Sequence, residues 1–163
     1  MSVRFTESYV DAVITALNDN TNGVEAKMNL VDSERNDGIV LETLKKIYKG
    51  GVHVIEELPA LVVWPESGSY AVPTTATIEQ KDTVIVWALI YAEDPETTHV
   101  RVWRMQEAIV RSVLTTWNLN GSVDICEFAG MRYDTPWFFP DAQGNPLLGV
   151  GGVAFEISHE EIV

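Results

Sequence analysis

The chain has 163 residues, 46% hydrophobic and 21% charged, with a formal net charge of −13. That is long enough for one domain with its own core, and so acidic a balance excludes a protein that grips nucleic acid through a basic, counterion-releasing surface. One cysteine, Cys126, excludes an internal disulfide, and no apolar run is long enough to span a membrane.

The opening residues, Met1-Ser2-Val3-Arg4-Phe5-Thr6-Glu7, lack the apolar segment of a signal peptide, so a cytoplasmic origin is expected. A first helix is predicted over residues 4–18. Tyr9, Val10, Val13, Ile14 and Leu17 fall on one face at helical spacing, and Glu7, Asp11, Thr15 and Asn18 on the other. Thr6 or Ser2 is its candidate cap. The run Asn18-Asp19-Asn20-Thr21-Asn22-Gly23 ends it.

Residues 20–51 read as a variable excursion, standing apart from the domain or lying as an arm on a neighbour. Within it, residues 39–49 are expected to form a short helix that buries Val40, Leu41, Leu44, Ile47 and Tyr48 and stops at Gly50-Gly51.

The period then changes. Leu58-Pro59-Ala60-Leu61-Val62-Val63-Trp64-Pro65 reads as a strand bounded by prolines. Glu66-Ser67-Gly68-Ser69 reads as a loop. Residues 73–80 and 83–91 read as an antiparallel pair turned at Gln80-Lys81-Asp82. The apolar run 84–92 has the composition of a strand covered on both faces. One helix layer covers one face, so the other must be closed by the variable segment or by a second copy of the chain.

Asp94-Pro95-Glu96 is a strong helix start, with Asp as cap and Pro at the first helical position. The helix that follows carries Val102, Met105, Ile109, Val110, Val113, Leu114 and Trp117 on a wide apolar arc. Arg101, Arg104 and Arg111 lie opposite, with Glu107, and Asn120-Gly121 ends it. Residues 122–128 read as a strand with a bulge at Cys126-Glu127. A Pro-, Gly- and aromatic-rich loop covers residues 133–146, and residues 148–158 alternate as a half-buried strand through Val153, Phe155 and Ile157. The predicted class is α+β: a single domain over residues 1–163, with two main helices on one face of a mostly antiparallel sheet. The order is helix, variable segment, three strands, helix, two strands.

Chemistry is hard to find in this sequence. His53, His99 and His159 are scattered and have no metal-ligand spacing. Gly149-Val150-Gly151-Gly152 lacks the lysine and the following helix of a phosphate loop, and it reads as a place where a strand bends or a backbone approaches closely. The adjacent pairs Glu56-Glu57 and Glu160-Glu161 read as solvated surface. Cys126 reads as a buried structural thiol. No catalytic residue, metal or cofactor is assigned, and no enzyme is expected.

Two features read as contacts. Trp137, Phe138 and Phe139 are successive aromatics in a loop and cannot all enter one core, so either one or two pack under the domain edge or the loop docks on a partner. Arg101, Arg104 and Arg111 form either a solvated helix face or a patch that meets carboxylates of a neighbouring subunit.

Residues 58–158 resemble the tail-terminator (tail-completion) proteins of long-tailed bacteriophages. The resemblance rests on the strand Leu58-Pro59-Ala60-Leu61-Val62-Val63-Trp64-Pro65 and on the apolar strand ending in Tyr91-Ala92, followed by a helix carrying Arg104 and Ile109. It rests also on the closing strand Val153-Ala154-Phe155-Glu156-Ile157, and the leading amphipathic helix fits it. Residues 23–51 lie outside the match. The resemblance implies a structural virion protein of the tail and neck, assembled in the host cytoplasm. Such a protein forms a ring, hexameric in the family's manner, that caps the head-proximal end of the tail tube and stops its polymerisation. The implied partners are other copies of the chain, the tail tube protein and the head–tail connector or stopper, with DNA passing through the lumen without specific binding. The readings left beside it are another head–tail joining protein, a small ligand-binding α+β domain, and an adaptor that docks through Trp137, Phe138 and Phe139.

Overall fold

Asp94 begins the longest helix, α3 (Pro95–Leu114). Its carboxylate accepts from the Thr97 backbone N–H at 2.9 Å, and Pro95 occupies the first turn, where no backbone donor is needed. This N–H holds the Asp94 carboxyl below its ordinary value. Asp94→Ala is expected to destabilise the protein, read as a lower urea midpoint at neutral pH.

The computed structural model describes residues 6–50, 56–74, 77–91, 94–115, 118–132, 138–140 and 146–162. In chain order these form α1 (Thr6–Leu17), α2 (Val24–Arg35), β1 (Lys46–Lys49), β2 (Ala60–Thr74), β3 (Thr77–Tyr91), α3, a 3-10 turn at Leu119–Gly121, β4 (Ile125–Arg132), β5 (Phe138–Pro140) and β6 (Pro146–Ile162). The sheet order is β1-β2-β3-β6-β4, with β5 also paired to β6. Among the described residues only β1 and β2 run parallel. The α+β class, the mostly antiparallel sheet and the helices on one face agree with the sequence reading.

The core lies between that sheet face and the helices. Strand alternation sends Val84, Val86, Ala88 and Ile90 of β3, Leu61 and Val63 of β2, and Val153, Phe155 and Ile157 of β6 inward. They meet Tyr9, Val13 and Leu17 of α1 and Val102, Met105, Ile109 and Val113 of α3. Cys126 joins this cluster from β4, and burial pushes its thiol up to about 12, with Glu127 adding to the shift. It is a structural thiol, as expected. Gly149 and Gly151 also face inward. A side chain on Gly151 would meet Val102 Cγ1 at 2.5 Å, and one on Gly149 would meet Thr98 Cγ2 at 2.6 Å. Bare backbone at these two positions lets α3 lie close on β6, and Gln106 fastens the contact by donating to the Gly152 carbonyl at 2.9 Å.

Several expectations need correction. Residues 39–49 are not a helix. The helix of this segment is α2, whose Val24, Met28 and Val31 recur at helical spacing, and it ends at Asn36 in the left-handed conformation. Ile47 and Tyr48 sit on opposite faces of strand β1 instead of one helix face. The stretch 24–49 is built into the fold, with α2 packed on α3 and β1 extending the sheet.

Glu66-Ser67-Gly68-Ser69 belongs to β2, which pairs with β3 out to Thr74↔Thr77 with irregularities after Pro65 and after Ala71. β1 covers β2 only beside Ala60–Val63, so the polar residues beyond it lie on an edge that faces water. Asp82 is therefore in mid-strand and is buried, accepting from Gln80 Nε2 at 2.8 Å, where a turn had been expected. The irregularity of β4 falls between Phe128 and Gly130, not at Cys126-Glu127. Ser2, Arg4, Phe5, Gly51, His53, Trp117 and the loop stretch 133–137 lie outside the described residues.

Candidate functional site

The outward face of the sheet carries an aromatic and apolar patch. One cross-strand row runs Tyr48–Val62–Trp87–Gly152–Arg132. A side chain on Gly152 would meet the Trp87 ring at 2.8 Å, so the indole lies over this glycine. Val62, Leu89 and Val150 form a small cluster there with Tyr48, Leu58, Trp87 and Leu148 packed against it. Trp64 and Tyr91, on the same face by alternation, are 44% and 54% exposed. Arg132 reaches across β6 and β3 to Glu66 at 3.3 Å.

Of the outward residues of the run 84–92, Ile85 and Leu89 are buried within the chain itself, with Tyr48 of the variable segment packed against Leu89's cluster, while α2 packs on the helix side. Among the described residues that segment gives this face only its edge strand, with Lys46 and Tyr48.

Farther along the strands the same face becomes acidic. Glu127 stands directly opposite Glu156, and Glu79 opposite Glu160. Like charges placed opposite one another are unfavourable. Lys81 relieves the second pair, 3.6 Å from Glu79.

Arg101, Arg104 and Arg111, read as a solvated helix face or a patch for a neighbouring subunit, each meet groups of this chain. Arg104 is buried: it donates to the Ile39 carbonyl and to the Asp37 carboxylate, with Asp32 3.7 Å away. Arg111 bonds both oxygens of Glu34, at 3.0 and 2.9 Å, and Glu107 at 2.6 Å. Arg101 lies 3.8 Å from Glu42. The face opposite the apolar arc is thus covered by α2 and the residues after it, and Arg104 pins that segment instead of meeting a neighbour.

Arg104 holds the Asp37 carboxyl below its ordinary value, and Arg111 does the same to Glu34. The folded state then binds fewer protons than the unfolded state around these values. Their contribution is complete above the unfolded carboxyl range, about pH 4, and is lost as pH falls through the lowered folded values. Carbon-detected NMR titration is expected to place both groups below ordinary carboxyls. The urea midpoint is expected to fall between pH 6 and pH 3.

Trp137 lies outside the described residues. Phe138 and Phe139 fall on β5, paired with Gly149 and Leu148 of β6, so the backbone of these two residues is part of the sheet. His99 stacks on Trp103, ring centres 5.9 Å apart, and Trp103 is 53% exposed on the helix layer. His159 Nδ1 lies 3.3 Å from Asp124. Among the described residues no group of three or more His, Cys, Asp or Glu is placed to hold a metal, and no helix is long and apolar enough to cross a membrane. A cleft of about 410 Å³ between the end of α1, the start of α2 and β1 is lined by Asn18, Asp19, Asn20, Glu25, Lys45 and Lys46 among others, a polar groove without a convergent catalytic set.

The sequence reading missed Trp64, Trp87 and Trp103 as surface or face residues. The signal available was parity: Ile85, Trp87, Leu89 and Tyr91 share one side of an alternating strand. No protein-family model matches this chain, and no curated protein matches it.

Proposed function

We propose that the protein is a structural, ring-forming virion component of the phage tail-terminator kind, which caps the head-proximal end of a tail tube and joins it to the head connector. The observation that carries this reading is the order of elements around the sheet. An amphipathic helix leads, a long hairpin, β2 and β3, is followed by α3, and β4 and β6 close the sheet on the far side of β3. Apart from β4, these are the elements on which the sequence resemblance rests. Two further properties support it. A closed ring needs two different, complementary surfaces on each subunit, and this sheet ends in two dissimilar edge strands, β1 and β4. A net charge of −13 per chain gives a strongly negative assembly, past which DNA slides without binding.

The test is native mass spectrometry of the purified chain, with negative-stain microscopy of the chain mixed with tail tubes. Rings, sixfold in the family's manner, and rings seated on tube ends are expected. A chain that stays monomeric and never binds tubes overturns the reading. Binding to filled heads instead of isolated tails assigns it to another joining protein of the neck.

A further inference from the structure

β1 and β4 are the two edges of the sheet, and each pairs with one strand only among the described residues. Edge strands offer unpaired backbone groups, and folded proteins commonly guard them with charge or a cover. β4 is eight residues long, and two large apolar residues on it, Ile125 and Phe128, are each 44% exposed. Next to Ile125 on the outward face stands Glu127, directly opposite Glu156. No cation among the described residues pairs with either carboxylate. At the other edge, Lys45 and Lys46 are exposed and have no carboxylate partner among the described residues; Lys46 lies over the Tyr48 ring, 4.8 Å from its centre.

The two edges match in direction as well as charge. β1 runs with β2, and β3, β6 and β4 alternate after it, so β4 is antiparallel to β1. Translation of one copy beside another brings these edges together as an antiparallel pair, the better-bonded arrangement. Lys46 and Tyr48 point outward on β1, as Glu127 and Ile125 do on β4. One register therefore sets lysine against glutamate and tyrosine against isoleucine on the same face.

We infer that β1 of one copy pairs antiparallel with β4 of the next, with Lys46 opposite Glu127 and Tyr48 opposite Ile125. This rests on the ring reading above and gives it a specific joint. The contact is heterologous, because each copy donates a basic edge and receives at an acidic one. It supplies the Glu127–Glu156 pair with the cation it lacks and covers Ile125. Lys46 and Glu127 sit about six residues apart in register across the sheet, beside Leu89 and Thr83 of β3 respectively, so successive copies are stepped along the strands, as strands tilted to the axis of a closed sheet are.

The test is charge exchange. Lys46→Glu and Glu127→Lys, both at exposed positions, are each expected to weaken self-assembly by about tenfold or more in native mass spectrometry and sedimentation. Mixing the two variants is expected to restore it, since every contact in an alternating assembly then joins opposite charges. Within one chain four strand spacings, about 19 Å, separate β1 from β4, farther than two side chains reach. A zero-length carbodiimide crosslink between Lys46 and Glu127 in the wild-type protein must therefore join two copies, and it is expected in the peptide map.

Rings that persist in either single variant, or a mixture that fails to reassemble, overturn the pairing and leave the ring reading standing. Open chains broken by both variants and restored by mixing uphold the pairing and overturn the ring. A wild-type chain that stays monomeric at every concentration overturns both. Self-assembly intact in Glu127→Lys with tube binding lost gives β4 to the tube protein and overturns the pairing.

Discussion

Gly151→Val is expected to cost about 3 kcal/mol and to lower the unfolding temperature by roughly 10 °C. The position is fully inside the helix–sheet seam. Its first added carbon would meet Val102 Cγ1 at 2.5 Å and the Gln106 side chain at 2.9 Å. Val102 is β-branched and has no free rotamer to escape into. The helix must therefore move off β6, which also breaks the Gln106 bond to the Gly152 carbonyl. Buried Gln106 is then left with an unmet polar group, a further cost. Gly151→Ala is expected to show the same effect at smaller size. Combining it with Val102→Ala should recover part of the loss, because the second change removes the atom first met. Differential scanning calorimetry on the single and double variants measures this. Full additivity of the two would show that α3 does not lie on β6 in this way.

Arg104→Met is expected to destabilise the protein by about 2–3 kcal/mol. The methionine keeps most of the side-chain volume but leaves the Ile39 carbonyl and the Asp37 carboxylate without their donor and Asp32 without the charge 3.7 Å away. Asp32 still accepts from the Leu41 backbone N–H at 2.8 Å, so the segment after α2 is expected to loosen and not to unfold outright. Two readouts separate this from a generic loss of packing. The Asp37 carboxyl should titrate upward toward its ordinary value, since Arg104 is the chief cause of its depression. Amide protection should fall at residues 37–41 more than in the sheet. Arg111→Met makes the useful contrast. Its pairs with Glu34 and Glu107 are one-third or more open to water on the arginine side, and exposed pairs of this kind are worth under about 1 kcal/mol.

The arginines also show how the helix layer was misread from the sequence. Arg101, Arg104 and Arg111 lie opposite the apolar arc of α3, and a two-layer protein leaves that side open. Val24, Met28 and Val31 make α2 a third helix, and it packs on this side. Nothing local marks α2 as a partner of α3, because its buried residues are few and its composition is polar. The decisive contacts, Arg104 with Asp37 and Arg111 with Glu34, join residues more than 60 positions apart. Pairing of that range follows from chain topology and leaves no periodic trace.

What the sequence determined by itself was local. The cap at Asp94, the helix behind it, the amphipathic α1 and the alternation in β6 follow from capping chemistry and from 3.6- and 2-residue periods, which need no distant partner. Gly149 and Gly151 were legible only as places of a strand bend or a close approach, not as the seat of α3. Only the tertiary structure decided how far β2 and β3 extend through polar residues, since ladder bonding overrides the turn signal of Gln80-Lys81-Asp82. It alone placed α2 on the helix layer and β1 at the sheet edge, with Tyr48 against the outward cluster of Val62, Leu89 and Val150. It alone set Glu127 beside Glu156, and Lys46 at the opposite edge, because register and strand order are properties of pairing between distant segments.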